Sequence, residues 1–131
     1  MHPKQQALED QLRRMCDALD NHLEDKYGTR YPLHPNRLER GEAASVAYDG
    51  LFSTGTQFTM GYGSQTGRGY LVVVDICTLD RVKPEDRAEI ETEASRYLET
   101  LLPLYFPDRK LTLVKDGRVW KIIGDFSLGE N

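Results

Sequence analysis

The sequence predicts an α+β domain in which a mostly antiparallel sheet of four to five strands carries two helices on one face. Two long segments repeat apolar residues every three or four positions, as amphipathic helices do. Shorter runs rich in β-branched and aromatic residues lie between and after them, separated by turns that contain glycine. Tight turns join antiparallel neighbours, so the predicted order is α-β-β-(β)-α-β-β.

The first helix is predicted over residues 5–27. Gly28 follows its last apolar position and is a suitable residue to end a helix. The stripe covers fewer than three heptads and has no asparagine at a core position, which favours packing onto a sheet over a coiled coil. Its apolar positions are Leu8, Leu12, Met15, Leu19, Leu23 and Tyr27.

A long irregular loop is predicted over residues 28–44, because Pro32 and Pro35 remove backbone donors and favour extended backbone. Strand-like pieces follow over residues 45–62. A hairpin turn at Asp49-Gly50 would add a short strand over residues 44–48, and the sequence leaves open whether that strand forms.

The run "YLVVVDICTL", residues 70–79, is apolar on both parities and predicts a central strand. A second helix is predicted from Pro84, with Pro103 expected to end or kink it. The final segment reads as a hairpin around Asp116-Gly117. The α-β-β order thus occurs twice, although alignment of the halves supports a repeat only at the level of topology.

A chain of 131 residues is expected to form one domain, residues 1–131, without metal or disulfide. The formal net charge is −4. Nucleic-acid binding is therefore not expected, because phosphate neutralisation requires a basic surface. Cys16 and Cys77 form no CxxC pair and predict free thiols in the cytoplasm, with a disulfide between them as the alternative. The sequence predicts neither a secretory signal nor a membrane span.

The stretch "GYGSQTGRGYLVVVD", residues 61–75, resembles several ligand-binding patterns in part. The dinucleotide fingerprint needs a helix after the glycines, and here a strand follows. The Walker loop needs Gly-Lys-Ser/Thr, which does not occur. The kinase loop requires a downstream lysine, which "YLVVVDI" lacks. Arg68, Gly69 and Tyr70 match the start of the ribonucleoprotein octamer, but two of its aromatic positions are Val72 and Asp75. We therefore predict that residues 63–69 form an exposed hairpin tip.

Charged residues at two places are candidates for a ligand site. Arg30, Arg37 and Arg40 lie on the loop stiffened by proline and suit carboxylate or phosphate, as would Arg68 beside the glycines. Asp75 interrupts the apolar strand and is either a ligand contact, paired with a base or exposed at the strand end. The histidines lack metal-ligand spacing, and no catalytic motif occurs. No cofactor and no metal are predicted, and the lack of a recognisable catalytic motif favours a domain that is not an enzyme without deciding the question.

Two functional classes remain. The first is a small cytoplasmic interaction domain that binds a protein or associates as a homodimer. Trp120, Tyr97, Tyr105 and Phe106 are many aromatic residues for the edge of a small sheet, and exposed apolar residues mark contacts. The second is a ligand-binding or enzymatic domain that holds an anionic small molecule between the arginine loop, residues 30–40, and the glycine-rich hairpin, residues 61–69.

Overall fold

The computed structural model describes residues 3–126 and has the predicted α+β class. Two α-helices and four β-strands follow one another in the order α-β-β-α-β-β. The elements are α1 (Pro3–Tyr27), β1 (Phe52–Thr59), β2 (Gly69–Ile76), α2 (Pro84–Tyr105), β3 (Leu111–Asp116) and β4 (Val119–Gly124).

All neighbouring strands are antiparallel, and the sheet order is β1-β2-β4-β3. Each α-β-β half therefore supplies one outer and one inner strand, so the halves repeat in topology. The fifth strand that Asp49-Gly50 would have added over residues 44–48 does not form. A 3₁₀ turn, Val46–Tyr48, occupies this segment, because Ser45 caps it by accepting a hydrogen bond from the Ala47 N–H (3.4 Å).

Helix α2 does not end at Pro103, although an end there is one of the two effects that the sequence predicts for this residue. Pro103 lies only two residues before the helix ends at Tyr105, and the ladder continues around it with the Phe106 N–H donating to the Leu102 carbonyl (2.9 Å). A proline this close to the C-terminus removes a single helical hydrogen bond. The start at Pro84, with Glu85 and Asp86 in the first turn, agrees with the sequence signal.

Both helices pack against one face of the sheet, where Phe52 of β1 and Ile122 of β4 are fully buried. The opposite face carries no helix and presents Val73, which is partly exposed. No helix within residues 3–126 is long and apolar enough to cross a membrane. The buried helix residues include the predicted stripe of α1: Leu8, Leu12, Met15, Leu19, Leu23 and Tyr27.

Candidate binding surface along the outer edge of strand β1

Arg30, one of the predicted anion ligands, lies against the start of α2. Its guanidinium donates to Asp86 (2.8 Å) and Glu89 (3.2 Å). Tyr31 donates a short hydrogen bond to the same Asp86 (2.5 Å). Hydrogen bonding from Tyr31 and the charge of Arg30 lower the pKa of Asp86. These contacts tie the beginning of the long loop to α2.

Arg37 binds backbone carbonyls. Its Nε donates to the Gly50 carbonyl (2.9 Å), and its Nη2 donates to the carbonyls of Ala47 (2.9 Å), Asp49 (3.0 Å) and Phe52 (2.9 Å). One guanidinium therefore holds together the backbone of the segment that leads into β1. This arrangement gives Arg37 a structural role in shaping the loop.

Arg40 lies among three carboxylates. It donates to Asp20, which is fully buried, to Glu24 (3.0 Å) and to Asp49 (2.8 Å). Burial raises the pKa of Asp20, and the hydrogen bond from Arg40 offsets part of that rise. Burial also acts against the charged form of Asp49, but hydrogen bonds from Ala43 and Gly41 and the charge of Arg40 outweigh it and lower the pKa of Asp49. This cluster fastens the loop to α1.

The remaining predicted ligands lie elsewhere. Arg68 is exposed and lines a cavity beside Phe58, whereas Arg37 lines a second cavity that also contains Asp75. The two cavities share no lining residue, and neither contains both arginines. Asp75 is exposed on the face of the sheet that carries no helix. The structure thus brings Arg37 and Asp75 together and separates both from Arg68.

The connection between β1 and β2, residues 60–68, folds back over the helix-free face. There Lys121, only 1% exposed, pairs with Asp116 (2.8 Å) and donates to Ser64 Oγ (3.1 Å) and the Gly67 carbonyl (2.5 Å). Hydrogen bonds from Lys121, Ser64 and Thr66 hold the pKa of Asp116 well below its usual range. β1 and β2 pair antiparallel on either side, and no helix begins in this segment.

Strand β1 is an outer strand, so the N–H and C=O groups of alternate residues face away from β2. Side chains form hydrogen bonds with the outward backbone groups of the first residues of β1. The Thr54 N–H donates to Asp20 (3.1 Å), and the Thr54 carbonyl accepts from Arg13 (2.7 Å). The Phe52 carbonyl accepts from Arg37. The first half of this edge is therefore closed to a further strand, because its backbone groups already have hydrogen-bond partners.

The second half of the same edge is open. The alternation turns the N–H and C=O groups of Thr56 and Phe58 outward, and no group within residues 3–126 bonds to them. β1 contains neither charge nor proline, the usual protections of an outer strand. The other outer strand, β3, carries Lys115 and Asp116. An extended segment can therefore add to β1 at this position.

A groove runs between this open half and the N-terminal half of α1. Two adjoining cavities of about 270 and 400 Å³ form it, and both have Glu9, Phe58 and Tyr70 in their walls. Large apolar side chains at the end of β1 and just after it have much of their surface in water: Phe58 is 48% exposed, Met60 49% and Tyr62 89%. Such exposure is typical of a contact surface.

The aromatic residues on which self-association was predicted are not the exposed ones. Phe106 is buried, and Tyr97 stacks on His22 with the ring centroids 3.7 Å apart. Tyr105 and Trp120 pack against the core. Self-association was not predicted from the uncharged strand "FSTGTQFT" or from Met60 and Tyr62, which follow it on the same parity as Phe58.

Within residues 3–126 no group of three or more His, Cys, Asp or Glu residues could hold a metal. Cys16 and Cys77 are free thiols, as predicted. Burial raises the pKa of Cys16 to about 11, which makes it a poor nucleophile.

Comparison with known proteins provides a family. A family described as "Uncharacterised protein" matches residues 3–124, nearly the whole chain. The chain belongs to this family. A protein of Borreliella burgdorferi, described as "Uncharacterized protein", is 44% identical over 119 residues, which cover 91% of this chain and 93% of that protein. No solved structure matches the chain. For this family member, functional inference therefore depends on the geometry described above.

Proposed function

We propose that this protein is a small cytoplasmic interaction domain that binds another protein chain, or a second copy of itself, by adding a strand to the open half of β1. The observation that carries the proposal is the set of outward backbone groups at Thr56 and Phe58, which lie beside a groove lined by both aromatic and charged side chains. In strand addition the backbone bonds provide affinity and pockets for alternate side chains provide specificity. The free thiols of Cys16 and Cys77 support the cytoplasmic location.

The proposal is tested by blocking the edge while the fold is preserved. The Thr56 N–H faces outward, so Thr56→Pro removes a donor from the edge without removing a bond between β1 and β2. A display library of random extended peptides selected on the wild type should yield binders whose affinity falls at least about tenfold on Thr56→Pro, the equivalent of one lost backbone bond.

The matched control is Lys115→Pro, which changes an outward-facing position on the opposite outer strand. It should leave peptide affinity within about twofold of the wild type. A library that yields no binder sensitive to Thr56→Pro contradicts the proposal. Binders that lose affinity equally on both variants contradict it as well, because they do not recognise the β1 edge.

The alternative is an anion site that uses Arg30, Arg37, Arg40 and Arg68. It is supported at one place, where Arg37 and Arg13 line an open cavity of about 450 Å³. If it is correct, sulfate, phosphate, nucleotides or acidic metabolites should raise Tm with concentration. The increase should vanish in Arg37→Ala with Arg68→Ala, each protein being compared with its own ligand-free Tm. An increase that is unchanged in the variant contradicts this site.

A further inference from the structure

We infer that the partner of the β1 edge is a second copy of this chain, joined through β1 about a two-fold axis at Gln57. This inference rests on the proposed function and names the chain that adds the strand. The two β1 strands would pair antiparallel and extend the sheet across both copies. All the groups that define this pairing lie on β1 and on the part of α1 beside it.

The length of the open edge sets the register. Arg13 occupies the edge at the Thr54 carbonyl, and the strand ends at Thr59. The free segment is therefore residues 55–59, and its centre is Gln57. Pairing about this centre sets Thr56 opposite Phe58 of the second copy, and both residues have outward backbone groups. Each such pair exchanges two hydrogen bonds, and the two-fold axis generates the pair twice.

The edge is also complementary to itself in charge. At the axis Gln57 meets its own copy, so no like charges face each other. Along α1, Glu9 lies beside Phe58 and Arg13 lies beside Thr54. Because Phe58 of the second copy comes opposite Thr56, its Glu9 approaches Arg13 of the first copy, and the reverse pair forms by symmetry. A partner strand from a different protein would have to place a cation of its own near Glu9 to make the same contact.

The exposed apolar side chains at the end of β1 also favour a second copy as the partner. Phe58 is 48% exposed and Met60 49% exposed in the single chain. In the pair, Met60 of one copy extends past Thr54 of the other, and Phe58 lies beside Thr56. Association would therefore remove apolar surface from water in both copies at once.

The register is tested by a disulfide across the axis. Gln57 and its copy would form a non-hydrogen-bonded antiparallel pair with Cα atoms about 4.5 Å apart, which a disulfide can span. Gln57→Cys should give a covalent dimer on mild oxidation, with the disulfide located at position 57 of both copies by peptide mass. The matched control, Gln65→Cys at an exposed position on the connection, should not cross-link.

Light scattering separates the possible outcomes. The wild type should show a reversible dimer that Thr56→Pro abolishes. Glu9→Lys should raise Kd about tenfold because the reversed charge acts twice, whereas Glu99→Lys on α2, with the same change in net charge, should leave Kd unchanged. A monomer at every concentration overturns the inference, and the peptide test above still decides the proposed function. A dimer that Thr56→Pro abolishes, but that Gln57→Cys does not cross-link, overturns this register alone.

Discussion

Replacing Arg40 with methionine is expected to lower the free energy of unfolding by about 3–5 kcal/mol. The variant leaves Asp20, Glu24 and Asp49 close together without their shared cation, and Asp20 is fully buried. Removing one partner of a buried ion pair leaves a charge that water cannot solvate. Urea unfolding monitored by Trp120 fluorescence measures the change.

The matched control for Arg40→Met is Arg87→Met. Arg87 is paired with Glu91 at 4.0 Å in an exposed position, so its loss should change stability by about 0–1 kcal/mol. The cluster also closes the edge at Thr54 through Asp20. We therefore expect faster amide exchange at Thr54 in Arg40→Met. A loss of stability as small as that of the control would mean that the carboxylates reach water.

Replacing Lys121 with methionine is expected to lower the free energy of unfolding by about 3 kcal/mol. Lys121 is 1% exposed and holds Asp116, Ser64 and the Gly67 carbonyl together over the helix-free face. Without it, the acceptors on the connection lose their buried donor. Urea unfolding measures the stability, and limited trypsin cleavage after Arg68 reports the release of residues 60–68.

Lys115→Met provides the comparison on the neighbouring strand. Lys115 is exposed and lies 5.6 Å from the centre of the Trp120 ring, a contact expected to contribute about 0.5–1 kcal/mol. Lys115→Met should therefore cost little and leave cleavage after Arg68 unchanged. If Lys121→Met cleaves no faster than the wild type, the connection does not depend on this lysine.

Helix α1 and the final hairpin could be predicted because their signals are local. In α1 the stripe from Leu8 to Tyr27 needs only one apolar surface to pack against. The hairpin forms as predicted, but its two-residue turn is Gly117-Arg118, one residue beyond the predicted Asp116-Gly117, because Asp116 pairs with Val119 and Gly117 has the positive φ (65°). Side-chain periodicity and turn chemistry act within a few residues, so one sequence is enough to read them.

The partners of the three loop arginines could not be predicted from the sequence in this way. Arg30, Arg37 and Arg40 are close in sequence and looked like one basic surface. Their acceptors lie on α2, on the carbonyls before β1 and on α1, positions up to 59 residues away. Which arginine meets which acceptor depends on how the loop crosses both helices. No spacing within the loop carries that information.

The sequence by itself therefore determined the fold class, the two helices and a mostly antiparallel sheet of four to five strands, since each follows from periodicity and turns. The tertiary structure alone decided that β1 is an outer strand whose first half is closed and whose second half is open. That difference arises because Asp20 and Arg13 of α1 reach the backbone of Thr54, whereas no side chain within residues 3–126 reaches that of Thr56 and Phe58. A contact between distant segments is a property of the packed chain, and it defines the surface for which we propose binding.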